Sequence, residues 1–156
     1  LPTGDLRAEL VSAGWLDLNN REERLQVNEV DIHARGTDDA HINRDDYRGG
    51  EFDAGALALG VIHSPYRRIT TPLVHDGADL ILAGHTHGGQ VCVPGYGALV
   101  TNCDLPRQQA KGLSTVGDEA RSSLLHVSAG VGTSPITPFR IACRPEATLL
   151  TITQRG

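Results

Sequence analysis

Apolar and polar positions change period several times along the chain, and each change marks an element. Leu6, Leu10 and Ala13 recur at helical spacing after Asp5, a residue that can cap a helix, and Gly14 closes the run. Trp15, Leu16 and Leu18 lead into the turn residues Asn19-Asn20. Residues 24–27 and 30–34 alternate apolar and polar side chains on either side of Asn28-Glu29, which predicts a β-hairpin. Residues 36–55, "GTDDAHINRDDYRGGEFDAG", are polar and lack a period, so a long loop is expected. Residues 57–62 form a nearly continuous apolar run that ends at His63-Ser64-Pro65, the pattern of a buried strand. Residues 69–78 suggest a helix from about Pro72 to Gly77, and residues 79–83 a second buried strand. Strand, helix and strand at this range make one βαβ unit with parallel strands. After residue 89 the pattern is β-rich, with strands expected at 90–93, 98–100, 123–129, 139–143 and 147–153. The fold class is therefore α/β with a mixed sheet, and no linker divides the chain.

Composition narrows the function classes. The 156 residues include 39% hydrophobic and 21% charged residues, enough apolar material for a core. A formal net charge of −5 argues against a general nucleic-acid binder, which needs a basic footprint. No apolar run approaches the ~20 residues that span a bilayer, and no secretory signal pattern opens the chain. A cytoplasmic location, or one peripheral to the cytoplasmic membrane, is expected. The chain has no methionine, which suggests that residue 1 is not a translation start. Cys92, Cys103 and Cys143 form no C-x-x-C pair, and their spacing suits buried, inert, reduced thiols.

The candidate chemistry sits where the two buried strands end. In parallel α/β sheets, ligands bind beyond the carboxyl ends of the strands. The first strand runs into His63; the second runs into "GHTHGGQ", which carries His85 and His87. Neutral imidazole is the commonest metal-ligating side chain. In an extended segment His85 and His87 would point the same way, and Gly84, Gly88 and Gly89 would let the backbone turn sharply and approach a charged ligand. His63, His85 and His87 are thus expected to converge on metal. Other features read as structural: His33, His75 and His126 as packed or solvated side chains, and residues 38–46, with His41, as a solvated loop. Ser64 turns the chain before Pro65, since no Gly-x-Ser-x-Gly elbow surrounds it. Arg140 is expected in a salt bridge, and the glycine loop lacks the Lys-Ser/Thr of a P-loop.

"GHTHGGQ" preceded by "ADLILA", with "LALGVIHSPY" upstream, resembles the carboxy-terminal motifs of calcineurin-like metallophosphoesterases. The tail "HVSAGVGTSPITPFRIACRPEATLLTI" resembles the closing strands of a bacterial branch of membrane-associated phosphoesterases related to UDP-2,3-diacylglucosamine diphosphatases. "LRAELVSAGWLDLNNRE" resembles the segment that follows the family's Gly-Asn-His-Asp motif, so the similarity covers residues 6–152. Family members carry five ligand blocks, and this chain matches only the last two, a lone His and Gly-His-x-His. The resemblance implies that His63 and His85 ligate one divalent ion and His87 another, the ions being manganese, zinc or iron. It implies that residues 1–156 are the carboxy-terminal part of a four-layer αββα sandwich, with the bridging aspartate and the acid-base histidine in an amino-terminal part. No catalytic residue is then assigned here. The implied activity is hydrolysis of a phosphoester or pyrophosphate bond by metal-activated water, in a phosphorylated small molecule or a lipid-linked substrate. The alternative is a non-catalytic metal-binding or protein-interaction module. Three neutral imidazoles cannot offset two divalent cations, which also points to missing carboxylates. The expected partner is the amino-terminal half or a second copy of the chain as a homodimer. It would cover an apolar face near Leu57, Leu59, Val61, Leu80, Leu82, Leu125 and Val127.

Overall fold

A computed structural model describes residues 3–134 and 136–153. Helix α1 spans Thr3–Ser12. It ends where Gly14 turns left-handed (φ 91°) and the Trp15 N–H reaches back to the Leu10 carbonyl at 3.0 Å. Strands β1 (Arg21–Val27) and β2 (Val30–Gly36) form the expected antiparallel hairpin. Its two turn residues, Asn28 and Glu29, both take positive φ, the geometry that matches the strands' twist. Next come β3 (Leu57–Val61), α2 (Arg67–His75) and β4 (Leu80–Ala83). A short hairpin of β5 (Cys92–Val93) and β6 (Gly97–Ala98) precedes β7 (Gly112–Gly117) and β8 (Ser122–Val127). Six strands form one mixed sheet in the order β1-β2-β3-β4-β8-β7. The central pairs β2–β3, β3–β4 and β4–β8 are parallel, and the two outer pairs are antiparallel.

Several elements depart from the sequence pattern. Helix α2 begins five residues before Pro72 and carries that proline inside it. The buried stripe Ile69, Thr70, Leu73 and Val74 anchors the helix to the sheet, which offsets the backbone bond that proline removes. Strand β7 was hidden because its small polar residues lie between two glycines; β8 supplies the ladder that makes it a strand. Residues 139–143 are not a strand. Ile141 makes a single bridge to Val91, and Ala142 turns left-handed (φ 50°). Residues 147–153 form no ladder among the described residues. The loop 36–55 is fastened down: the Asn20 side-chain oxygen accepts from the Asp38 and Asp46 N–H groups at 2.8 and 2.9 Å, and Tyr47 donates to Asp76 at 2.6 Å.

The sheet has one covered and one open face. Leu73 and Val74 of α2 pack with Ile81, Ala83, Leu125 and Val127. Register places Leu125 opposite Ile81 and Val127 opposite Ala83, so both belong to this covered face. That corrects their expected place on the uncovered side. The residue in register with Leu80 is Leu124, which is 47% exposed. Leu57, Leu59, Val61 and Leu82 on that side are half-buried, and Leu113 of β7 is exposed. His33 is structural: its ring is buried, its Nδ1 accepts from the Asp53 N–H at 3.0 Å, and its Nε2 faces Glu22 at 3.3 Å.

Candidate metal centre

Parallel β3 and β4 bring the residues that follow them to one edge of the sheet. The Gly84 N–H donates to the His63 carbonyl at 3.0 Å, tying the two strand ends together. His63 Nε2 then lies 3.3 Å from His85 Nδ1. A third group completes the cluster: one oxygen of Asp39 lies 4.0 Å from His63 Nε2. Donor atoms of Asp39, His63 and His85 all fall within 4.8 Å of one another. Asp39 comes from the polar loop that the sequence pattern assigned to solvent.

The hydrogen bonds around the cluster set its protonation. His85 Nε2 sits 3.0 Å from the Asn102 carbonyl oxygen, which can only accept. The proton is therefore on Nε2, and Nδ1 turns its lone pair toward His63. A backbone carbonyl on the far nitrogen is the usual way a ligating imidazole is oriented. Burial pushes the His85 pKa down and outweighs the Asn102 carbonyl, with His63 and His41 adding to the lowering. Protons thus compete for His85 only below the ordinary imidazole value of ~6.5. Burial opposes ionisation of Asp39, yet the Ser64 hydroxyl, the His41 N–H and the two histidines hold its carboxyl below the usual value. The Ser64 hydroxyl donates to Asp39 Oδ1 at 2.6 Å, and the His41 N–H donates to the same oxygen at 2.8 Å. Ser64 is thus a carboxylate-orienting residue as well as a turn residue. His41 packs against the His85 ring, with centroids 4.6 Å apart, and its Nδ1 meets the Tyr66 hydroxyl at 3.0 Å.

The donor set suits a divalent ion. Two nitrogens at ~2.1 Å from a tetrahedral ion stand about 3.4 Å apart, close to the observed 3.3 Å. Two imidazoles and one carboxylate match zinc, iron or manganese. Ser64→Ala leaves these donors in place but frees Asp39 to rotate. We expect zinc affinity to fall roughly 10–100-fold, the usual effect of losing an outer hydrogen bond to a ligand; calorimetric titration of both proteins measures it.

His87 does not join the cluster of three. The expected extended segment is absent: His85 (φ 67°), His87 (φ 50°) and Gly88 (φ 66°) are all left-handed, with Thr86 right-handed between the histidines. Buried Thr86 sets this turn by donating to the Ala110 carbonyl at 2.6 Å and accepting from the Gly88 N–H at 3.2 Å. The His87 pKa is lowered by burial and by Arg140, against an interaction with the Gly132 backbone. Gly88 serves packing as well as the turn, since a Cβ there would meet Cys143 Sγ at 2.8 Å. Arg140 makes no salt bridge among the described residues; its guanidinium donates to the carbonyls of His87, Ala129, Gly130 and Gly132.

The chain is 30% identical over 143 residues to Bacillus subtilis YpbG, described only as uncharacterized, a match covering 89% of this chain and 49% of that protein. It is 28% identical over 123 residues to "Uncharacterized metallophosphoesterase YkuE" of the same organism, covering 78% of this chain and 40% of YkuE. The chain is similar to metallophosphoesterases. A shorter stretch of 72 residues, 46% of this chain, is 38% identical to "Phosphodiesterase YaeI" of Escherichia coli and covers 24% of that protein. The chain spans about half the length of YpbG. No protein-family model matches it. No solved structure matches it. Metallophosphoesterase relatives at modest identity and a cluster of His and Asp donors point together to a hydrolase family that uses divalent metal. Among the described residues, no helix is long and apolar enough to cross a membrane.

Proposed function

We propose that this chain forms the histidine side of a two-metal phosphoesterase of the calcineurin-like type, and that the enzyme hydrolyses a phosphoester or pyrophosphate bond. The observation that carries this reading is the convergence of Asp39, His63 and His85 at the carboxyl ends of two parallel strands. Bound divalent ions would supply Lewis acidity toward phosphoryl oxygens and lower the pKa of water. The chain's own residues do the positioning. Asn102 fixes the His85 tautomer, Ser64 holds Asp39, and the Thr86-anchored turn presents His87 as the candidate ligand of the other ion. The remaining carboxylates come from an amino-terminal part, which completes the four-layer sandwich over the open sheet face. The substrate is a phosphorylated small molecule or a lipid-linked phosphate.

One observation favours a second reading for the chain taken alone. Its only three-donor cluster among the described residues would hold one ion, not two. A single-ion site lacks the paired clamp on attacking and leaving oxygens. We therefore expect the isolated chain to bind zinc or manganese yet hydrolyse aryl phosphate esters very slowly or not at all. The full-length protein should turn them over when manganese is added. A full-length protein that is loaded with metal and inert on phosphomonoesters, diesters and pyrophosphates alike contradicts the enzyme reading and leaves the binding module.

A further inference from the structure

Beneath the histidine turn lie two thiols that the metal cluster does not use. Cys92 Sγ is 3.3 Å from the Gly88 carbonyl oxygen, and Cys143 Sγ is 3.4 Å from the same atom. Cys143 Sγ is also 3.4 Å from the His87 carbonyl oxygen. Both sulfurs therefore lie against the same carbonyl oxygen, that of Gly88. Backbone bonds hold their segments side by side: the Cys92 N–H donates to the Ile141 carbonyl at 2.9 Å, and the Ile141 N–H to the Gln90 carbonyl at 3.0 Å. Cys92 is half-buried, whereas Cys143 is only 2% exposed. The third cysteine, Cys103, packs against the main core instead.

We propose that Cys92 and Cys143 form a reversible disulfide, a modification site that staples β5 to the segment around Ile141 under the His87–Gly89 turn. The oxidant is a low-molecular-weight disulfide of the glutathione class. Cys92, the more accessible sulfur, attacks one sulfur of that disulfide. The S–S bond breaks, and one small thiol leaves carrying the proton given up by Cys92. Cys143 then attacks Cys92 Sγ and expels the second small thiol, which takes the Cys143 proton. The two protein thiols lose two electrons and two protons, and the oxidant gains both. Exchange of this kind follows which sulfur a reagent can reach. Oxidation removes the S–H donors that face the His87 and Gly88 carbonyls. Arg140 Nη1, at 3.0 Å, remains on the first of these. The hydrogen bonding of the histidine turn therefore depends on the state of the two thiols.

The test is to incubate the folded chain with oxidised glutathione, block free thiols with iodoacetamide and map peptides by mass spectrometry. A joined Cys92–Cys143 peptide pair is expected, with Cys103 alkylated and the bond lost on adding dithiothreitol. Cys103→Ser should form the same bond, while Cys143→Ser should stop at a glutathione adduct on Cys92. In NMR spectra the amide signals of Gly88 and Gly89 should shift on oxidation and return on reduction. Full alkylation of both Cys92 and Cys143 after oxidation overturns the proposal. So does a persistent Cys92 adduct in the unsubstituted chain, or a bond that requires Cys103.

Discussion

Replacing His85 by alanine in the full-length protein is expected to lower phosphoester hydrolysis by at least about 10²-fold, more than the loss typical of removing an outer hydrogen bond to a ligand. The expectation rests on where the ring sits. His85 Nδ1 faces His63 Nε2 at 3.3 Å, and the Asn102 carbonyl occupies its other nitrogen. Alanine removes one of the three donors of the cluster. Substitution of His33 provides the contrast. That ring projects from β2, is buried against Phe52 and is bonded to Asp53 and Glu22, so its loss should lower stability while leaving metal affinity intact. Steady-state hydrolysis of an aryl phosphate ester with manganese present separates the two. A His85→Ala protein with unchanged kcat would remove His85 from the metal site.

The isolated chain is expected to associate instead of remaining an exposed monomer. Leu57, Leu59, Val61 and Leu82 lie half-buried on the open sheet face, with Leu124 and Leu113 beside them at 47% and 61% exposure. Helix α1 and the turn after it add exposed apolar residues, among them Leu6, Val11 and Trp15. Monomers rarely expose a contiguous apolar patch above a few hundred Å². Covering ~300 Å² contributes roughly 7 kcal/mol at ~25 cal/mol per Å², enough to offset much of the entropy lost on association. We propose the amino-terminal half as the native cover, with a second copy taking its place through a two-fold contact when that half is absent. Light scattering of the isolated chain should give a mass above 16.6 kDa at high concentration. A monomer that binds no apolar dye would mean that the face is closed from within.

Much of this arrangement was legible as period. Alternation announced the β1–β2 hairpin, and the apolar runs announced β3 and β4, because side chains on a sheet buried along its centre must be apolar. His63 and His85 could be anticipated because parallel strands end together. Asp39 could not: nothing in "GTDDAHINRDD" shows which carboxylate Ser64 will hold, since that contact joins distant parts of the chain. That His87 stands outside the cluster of three was hidden for a similar reason. Two residues apart means same-side only in an extended segment, and Thr86 converts this one into a turn through the distant Ala110 carbonyl. Strand β7 depends on register with β8, and the face to which Leu125 belongs on the register of β8 with β4, which composition does not encode.

The most direct test of the metal centre is X-ray absorption on the chain loaded with one equivalent of zinc. Asp39, His63 and His85 as ligands predict a shell of nitrogen and oxygen at ~2.0–2.2 Å, with the outer scattering of two imidazoles and no sulfur. In the His63→Ala protein that outer scattering should fall to one ring or disappear with the bound zinc. Zinc held through sulfur, or an imidazole count unchanged by His63→Ala, would contradict the account.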